Sequence, residues 1–209
     1  MTAKKLYAGT LNTADTTIYT VPDGKTTIIK SIVLCNMSSS TDNTIALMIG
    51  GKDGSGSSWV FNGKVLKASD TLVIPLVDYA MASGGKIRLW SSGGSVTARI
   101  SGEEIDEPIE STEYESYIGT MTQTSNVLVP AVNYKRIIKS MFIGNASADS
   151  SVYLAIGGSY VVMRKQIKYG DAILIPFMDQ VLEAGESITG YKSNTATVVP
   201  HITLIRVDD

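Results

Sequence analysis

Apolar and polar positions alternate over short stretches along most of the chain, which is the pattern of strands with one buried face. In residues 86–90, Ile87 and Leu89 share one face while the charged positions occupy the other, and residues 96–100 alternate in the same way. Residues 26–36 form a run rich in β-branched side chains that ends at a Ser-rich turn. No stretch of ten or more positions shows the 3.6-residue period of a helix. The pattern therefore predicts an all-β chain.

A series of short motifs occurs twice along the chain, in the same order. The motifs, each followed by its second copy, are Tyr7-Ala8-Gly9-Thr10 and Tyr117-Ile118-Gly119-Thr120, Ile28-Ile29-Lys30-Ser31 and Ile137-Ile138-Lys139-Ser140, Ile49-Gly50-Gly51 and Ile156-Gly157-Gly158, and Ile74-Pro75-Leu76-Val77-Asp78 and Ile175-Pro176-Phe177-Met178-Asp179. Each copy spans about 100 residues, which exceeds a solenoid unit of roughly 20–50 residues and is enough to bury a core. We therefore predict two tandem β-sandwich domains from an internal duplication, residues 1–105 and 116–209. Each domain has immunoglobulin-like size, roughly seven to eight strands and jelly-roll or Greek-key topology.

The joint between the two repeats is acidic. Residues 103–115 contain seven acidic residues and one proline. We assign residues 106–115 as a solvated, self-repelling linker, with a docking strip for a basic partner as the alternative.

The two repeats differ in their loops. Repeat one carries two extra residues in its Ser-rich loop and six more within residues 51–58. Insertions on a fixed scaffold mark surface loops, so the insertion either serves a different partner or is inert. The aromatic residues beside this variable loop could contact a partner or form the floor of a sugar site. The same holds for the tryptophan at the end of residues 86–90, which shares a strand face with the charged positions. The candidate partner-binding residues are Lys52, Asp53, Trp59, Phe61, Trp90 and Tyr160.

Charge is low for a globular chain. Charged residues make up 18% of the sequence, apolar residues 44%, and the mean hydropathy is +0.11, whereas roughly 25% charge is usual. Either the strand faces are Ser- and Thr-rich, or part of the surface is buried against partner subunits. The net charge of −2 gives no attraction for nucleic acid or anionic lipid. No export signal or membrane-spanning run is present, so we expect folding in a cytoplasm and no membrane partner.

Residues that could carry chemistry are sparse. Cys35 and His201 are the only thiol and the only imidazole, and they lie in different repeats, so neither a Cys–His nucleophile nor a standard metal site is expected. Asp78 and Asp179, in the repeated Ile-Pro-x-x-Asp motif, fit turn caps better than paired catalytic carboxylates. No phosphate loop or dinucleotide fingerprint occurs. We therefore expect no cofactor, no metal and no enzymatic activity.

Residues 17–26 (TIYTVPDGKT) and 29–36 (IKSIVLCN) resemble small virion proteins of tailed bacteriophages. Those proteins read Tyr-Thr-Val-Pro-x-Gly-Lys, followed by an apolar strand that ends in Cys-Asn or Gly-Asn. Residues 142–145 (FIGN) supply the second copy, although residues 130–133 (PAVN) depart from the Gly-Lys turn.

The resemblance covers both repeats and implies a non-enzymatic structural component of the virion, either a capsid decoration protein or a tail or neck adaptor. Its implied partners are other virion proteins, with the chain as a homo-oligomer or bound to a lattice. The alternative is a carbohydrate-binding or host-receptor-binding module with a glycan partner.

Overall fold

The computed structural model describes residues 2–50, 58–74, 78–106, 114–175 and 179–207, in which eighteen strands and no helix are found. The strands of repeat one are β1 (Thr2–Thr10), β2 (Thr17–Thr20), β3 (Lys25–Asn36), β4 (Asn43–Gly50), β5 (Ser58–Leu66), β6 (Thr71–Ile74), β7 (Tyr79–Met81), β8 (Lys86–Ser91) and β9 (Val96–Asp106). Those of repeat two are β10 (Tyr114–Ile118), β11 (Asn126–Val129), β12 (Lys135–Asn145), β13 (Ser150–Ile156), β14 (Ser159–Ile167), β15 (Ala172–Ile175), β16 (Gln180–Leu182), β17 (Ile188–Lys192) and β18 (Val198–Val207). The prediction of an all-β chain is confirmed. In this part of the chain there is no helix that could cross a bilayer.

The strands form four antiparallel sheets, two from each repeat. Sheet A has the order β1-β9-β3-β6, with β7 also paired to β3, and sheet B has the order β2-β8-β4-β5. Sheet C has the order β10-β18-β12-β15, with β16 also paired to β12, and sheet D has the order β11-β17-β13-β14. Equivalent strands of the two repeats therefore occupy equivalent places, so the repeated motifs specify the same topology twice.

Two clusters of buried apolar side chains lie between these sheets. The first draws on sheets A and B, with members such as Ile32, Leu47 and Ile100, and the second draws on sheets C and D, with members such as Ile143 and Leu154. Alternation along each strand places these residues on the inner faces. Each pair of sheets thus encloses one core.

Two of the repeated motifs recur because they pair with each other. Lys30 lies at a register shift between its neighbours in β3, where an extra residue bulges out of the ladder. Its ammonium pairs with Asp78, which follows β6 and has left-handed backbone geometry with φ 59°. Repeat two repeats the arrangement, with Lys139 Nζ 2.5 Å from Asp179 Oδ1. These carboxylates therefore hold the bulge of the long central strand, a role beyond the predicted turn cap. The prolines of the Ile-Pro-x-x-Asp motif lie outside the described residues.

The asparagine that ends each central strand closes a loop. The Asn36 amide donates to the carbonyls of Leu66 and Lys67, and its Oδ1 accepts from the backbone N–H of Ser38. Asn145 likewise donates to the Ile167 carbonyl at 2.9 Å. Both side chains are buried, and buried polar groups need such partners. This requirement explains why Asn ends the strand in both copies.

The prediction of two separate sandwiches does not describe how the sheets pack. Along β12 from Ser140 and along β18 to Leu204, every residue is buried, whereas the equivalent part of β3 alternates between buried and half-exposed. A strand buried at every position is covered on both faces. Sheet C therefore packs on its own core and on repeat one, and the four sheets form one packed arrangement.

Both ends of the assigned linker lie in strands. Strand β9 continues to Asp106 and β10 begins at Tyr114, while residues 107–113 lie outside the described part of the chain. Glu115, assigned to the solvated linker, is instead inside β10, where Tyr134, Tyr117 and Arg136 all donate to its carboxylate. Burial raises its pKa, but these hydrogen bonds outweigh burial and hold the pKa below its usual value.

Candidate subunit-docking surfaces

The two repeats meet where β5 and β7 of repeat one lie against the outer face of sheet C. The side chain of Phe142, on that face, belongs to the buried cluster of repeat one. Its ring stacks on His201 with the ring centroids 4.2 Å apart and packs against Tyr79 at 5.5 Å. The two repeats therefore share apolar packing and are not joined only through the chain.

His201 is fully buried in this contact and is hydrogen bonded on both ring nitrogens. Its Nε2 lies 3.3 Å from the Trp59 carbonyl oxygen, which can only accept, so Nε2 carries the proton. Nδ1 is then an acceptor, and the Tyr79 hydroxyl donates to it at 3.4 Å. Burial lowers the pKa of His201 to about 3, since desolvation penalises the charged imidazolium more than the Trp59 carbonyl stabilises it. The interface therefore holds a neutral histidine.

Glycines in repeat two allow the backbone of β5 to approach closely. A Cβ added at Gly144 would lie well under 3.0 Å from the carbonyl oxygens of Trp59 and Val60, a distance that real Cβ atoms essentially never show. A Cβ at Gly170 would meet the Asn62 carbonyl in the same way. The backbones therefore touch directly, which only residues without a Cβ permit.

An ion pair crosses between the repeats beside an apolar cleft. Lys64 Nζ in β5 lies 3.0 Å from Asp171 Oδ1, just before β15. The neighbouring cleft has a volume of about 230 Å³ and is lined by Val60 and Phe142 together with residues of β6 and β15. This internal interface thus combines apolar contact, backbone approach and one charge pair.

Strand β14, the equivalent of β5, is uncovered. It is the outer strand of sheet D, and eight of its nine residues are exposed or half-exposed. Val60 in β5 is 1% exposed, whereas its equivalent Val161 is 44% exposed and Met163 is 69% exposed. A long edge strand with exposed apolar side chains is a template for association. We call β14 the free edge.

The outer face of sheet A is also uncovered, whereas the equivalent outer face of sheet C is buried against repeat one. Val33 and Cys35 are half-buried there, and Val73 and Arg99 are exposed. The register places Val33 beside both Arg99 and Val73, so these side chains form one surface. We call it the free face. Each repeat thus has an edge strand and an outer sheet face of the kinds that meet between the repeats. Of these edges and faces, only β5 and the outer face of sheet C are in contact within the described part of the chain.

The four predicted partner-binding residues that the structure describes do not form one site. Trp59 and Trp90 pack together on sheet B with their ring centroids 5.6 Å apart, and both are half-buried. Phe61 is 3% exposed, belongs to the core of repeat one and also lines the cleft between the repeats, and its role as a partner contact stays a prediction. Lys52 and Asp53 lie outside the described residues. Their role in binding stays a prediction.

Tyr160 belongs to a separate aromatic group on repeat two. It is exposed at the start of the free edge and lines a surface cavity together with Tyr153 and Tyr191, whose rings stack at 4.2 Å. A hydrogen bond with Tyr160 raises the pKa of Tyr191. The two tryptophans and Tyr160 are thus divided between the repeats and do not converge on one groove.

Groups that could catalyse or hold a metal remain apart. Cys35 is half-buried on the free face, whereas His201 is buried in the contact between the repeats. Among residues 2–50, 58–74, 78–106, 114–175 and 179–207, no group of three or more His, Cys, Asp or Glu side chains could hold a metal ion.

Sequence reasoning missed the residues that join the repeats, chiefly Phe142, Tyr79 and His201. One signal could have found part of the contact. Residues 198–205 (VVPHITLI) are a nearly continuous apolar run without alternation, which is typical of a strand covered on both faces. The missing alternation indicated an additional layer on repeat two.

Comparisons with known proteins leave the family open. No protein-family model matches the chain, and no curated protein matches it in sequence. Among solved structures, the chain is similar to the major capsid protein P2 of bacteriophage PM2, with 12% identity, a TM-score of 0.38 and coverage of 100% of this chain and 98% of that chain.

Two further solved structures are similar over most of the chain. N-glycanase F (PNGase F) has 9% identity, a TM-score of 0.44 and coverage of 100% and 96%. The MCP of STIV, Sulfolobus Turreted Icosahedral Virus, has 9% identity, a TM-score of 0.33 and coverage of 97% and 95%. At these scores the likenesses assign no activity, ligand or family to the chain.

Proposed function

We propose that this protein is a non-enzymatic structural component of a bacteriophage particle, a capsid decoration protein or a tail or neck adaptor. It would fold in the host cytoplasm and then bind neighbouring virion subunits through its sheet faces and edges. The observation that carries the proposal is the free edge, because β14 leaves Val161 and Met163 in water although the equivalent β5 is covered. Unpaired apolar edges are expected where a partner covers them.

The strand order supports a jelly roll in each repeat. The first four strands alternate between two sheets, with β1 and β3 in sheet A and β2 and β4 in sheet B, and one core draws on both sheets. Jelly rolls are double sheets of this kind, used in viral capsid and lectin domains. The low charge of the chain and its resemblance to tailed-phage virion proteins favour the virion among these uses.

The test is the composition of the particle. Gradient-purified particles from the phage or prophage that encodes this chain are analysed by mass spectrometry, alongside particles made with the gene deleted. We expect the protein in many copies per particle and a loss of stability or assembly after deletion. Its absence from wild-type particles would overturn the proposal.

A second candidate is glycan binding, which the exposed tyrosines favour. Tyr153, Tyr160 and Tyr191 line one open cavity, and aromatic rings with polar tips suit a ligand that is part apolar and part wet. A glycan array read with the wild-type chain and the variant Tyr160→Ala distinguishes this function. Binding that the variant loses would support it, and the absence of binding across the array would reject it.

A further inference from the structure

The ion pair between the repeats is encoded twice in the sequence but used once within the chain. Residues 58–74 align with residues 159–175 without a gap. Lys165 is therefore the equivalent of Lys64, and Asp70 is the equivalent of Asp171. Both aspartates also accept a hydrogen bond from the next backbone N–H at 2.8 Å, so their local geometry matches.

The internal interface uses the lysine of repeat one and the aspartate of repeat two. This leaves Lys165 on the free edge and Asp70 beside the free face. Both are exposed, and neither takes part in a salt bridge with any residue in the described part of the chain. Lys165 and Asp70 carry opposite charges. They lie on two surfaces, the free edge and the free face, that correspond to the two sides of the internal interface.

We propose that a second copy of this chain docks head to tail, with the free edge of one copy on the free face of the next and Lys165 of one copy paired with Asp70 of the other. The inference rests on the proposed function, because it names the neighbouring subunit. The internal interface is the template. Just as β5 packs on the outer face of sheet C, β14 packs on the outer face of sheet A of the next copy.

The apolar surroundings of the two charges fit this docking. On the free edge Val161 repeats Val60, and on the free face Val33 and Val73 stand where Phe142 and Leu174 stand in repeat two. Apolar side chains that are exposed on both surfaces would be buried against each other. Apolar contact with a charge pair at the rim is the usual build of a protein interface, and Arg99 of the free face lies beside Val33 within this contact.

The contact between copies is looser than the internal one. Cys35 takes the place of Gly144, and Ser69 takes the place of Gly170, so the close backbone approach that the glycines allow is blocked by side chains. The next copy must therefore sit farther out, where long Lys and Asp side chains still reach each other. We expect association that is reversible and dependent on concentration.

A head-to-tail contact does not use the same patch on both subunits. Such heterologous contacts generate a closed ring when the rotation per copy closes, and an open filament when it does not. Either product leaves no free edge except at the ends of a filament, which explains how β14 escapes uncontrolled aggregation in the assembled state.

Charge reversal tests the pairing. Sedimentation velocity and native mass spectrometry over a range of protein concentrations are applied to the wild type, Lys165→Asp, Asp70→Lys and the double variant. Each single variant should weaken association about tenfold or more, because like charges then face each other, and the double variant should restore it. Lys168→Asp is the matched control, since its equivalent Lys67 pairs with Asp42 inside repeat one. Circular dichroism and thermal unfolding confirm that each variant is folded.

Zero-length carbodiimide crosslinking of mixed unlabelled and ¹⁵N-labelled wild-type chains locates the contact independently of any variant. A crosslinked peptide pair joining Lys165 to Asp70 with mixed isotopes is the expected product. A wild-type chain that stays monomeric at all concentrations, or association that the single variants leave unchanged, overturns the inference. A monomer that is nevertheless abundant in particles overturns only this inference, whereas an oligomer that is absent from particles overturns only the proposed function.

Discussion

At the scale of single residues, two buried side chains that can carry charge have specific partners. His201 lies between the Tyr79 hydroxyl and the Trp59 carbonyl, and Arg136 is paired with Glu115 inside repeat two. Sequence inspection identified His201 as the only imidazole but gave no sign of its surroundings. Its two hydrogen-bond partners come from strands more than 100 residues away, and no local pattern identifies them.

His201 should make stability depend on pH above the range where carboxylates titrate. The unfolded chain takes up a proton near pH 6.5, whereas the folded imidazole does so only near pH 3. Between these values the unfolded state binds more protons, so the free energy of unfolding falls as the pH is lowered, by up to about 1.4 kcal/mol per pH unit. No other histidine exists to contribute.

Urea unfolding between about pH 6.5 and pH 5 measures this slope, because most carboxylates remain ionised there. The variant His201→Gln should lose the slope. A wild-type stability that does not change over this window, or an equal slope in the variant, would contradict the assignment.

Glu115→Gln should destabilise the fold by about 3 kcal/mol, because breaking a buried pair leaves an unmatched charge. The Arg136 side chain has no exposed surface, so water cannot replace the carboxylate. Glu183→Gln is the matched control: its carboxylate is well exposed and 3.9 Å from Lys135 Nζ, so a change within about 0.5 kcal/mol is expected. Chemical denaturation of both variants gives the comparison, and equal costs would reject a special role for Glu115.

At the scale of strands and sheets, the repeated motifs specify local structure well. The bulge at Lys30 with its carboxylate partner, and the buried Asn36 at the strand end, recur in repeat two with the same contacts. These features depend on residues close in the sheet, so a sequence repeat transmits them intact. The two glycines at the contact between repeats, Gly144 and Gly170, have no glycine at the equivalent positions, and their role appears only when the repeats pack.

Gly144→Ala should destabilise the protein by about 1–3 kcal/mol, the usual cost of forcing extra atoms into a packed contact. The added Cβ would meet the Trp59 and Val60 carbonyls. Gly94→Ala adds the same atom in open space without a positive φ, so it should be neutral or slightly stabilising. Thermal unfolding of the two variants tests the difference, and a Gly144→Ala variant as stable as the wild type would show that the contact is not close.

At the scale of the whole molecule, the two repeats should unfold together. Phe142 of repeat two packs within the core of repeat one, so the core of repeat one is not complete without repeat two. Calorimetry should show one transition whose calorimetric and van't Hoff enthalpies agree. Phe142→Ala should remove the shared packing and separate the unfolding into two transitions. Two transitions in the wild type would mean that the repeats are independent.

The sequence by itself determined the duplication, the all-β class and the local motifs, because alternation, turn residues and strand bulges depend on near neighbours. It did not decide which surfaces are covered. Val60 and Val161 have equivalent sequence positions, yet one is buried and the other exposed. Burial of an outer face depends on which other element packs there, and identical motifs cannot encode that difference. Only the tertiary structure showed one interface completed within the chain and its counterpart left open.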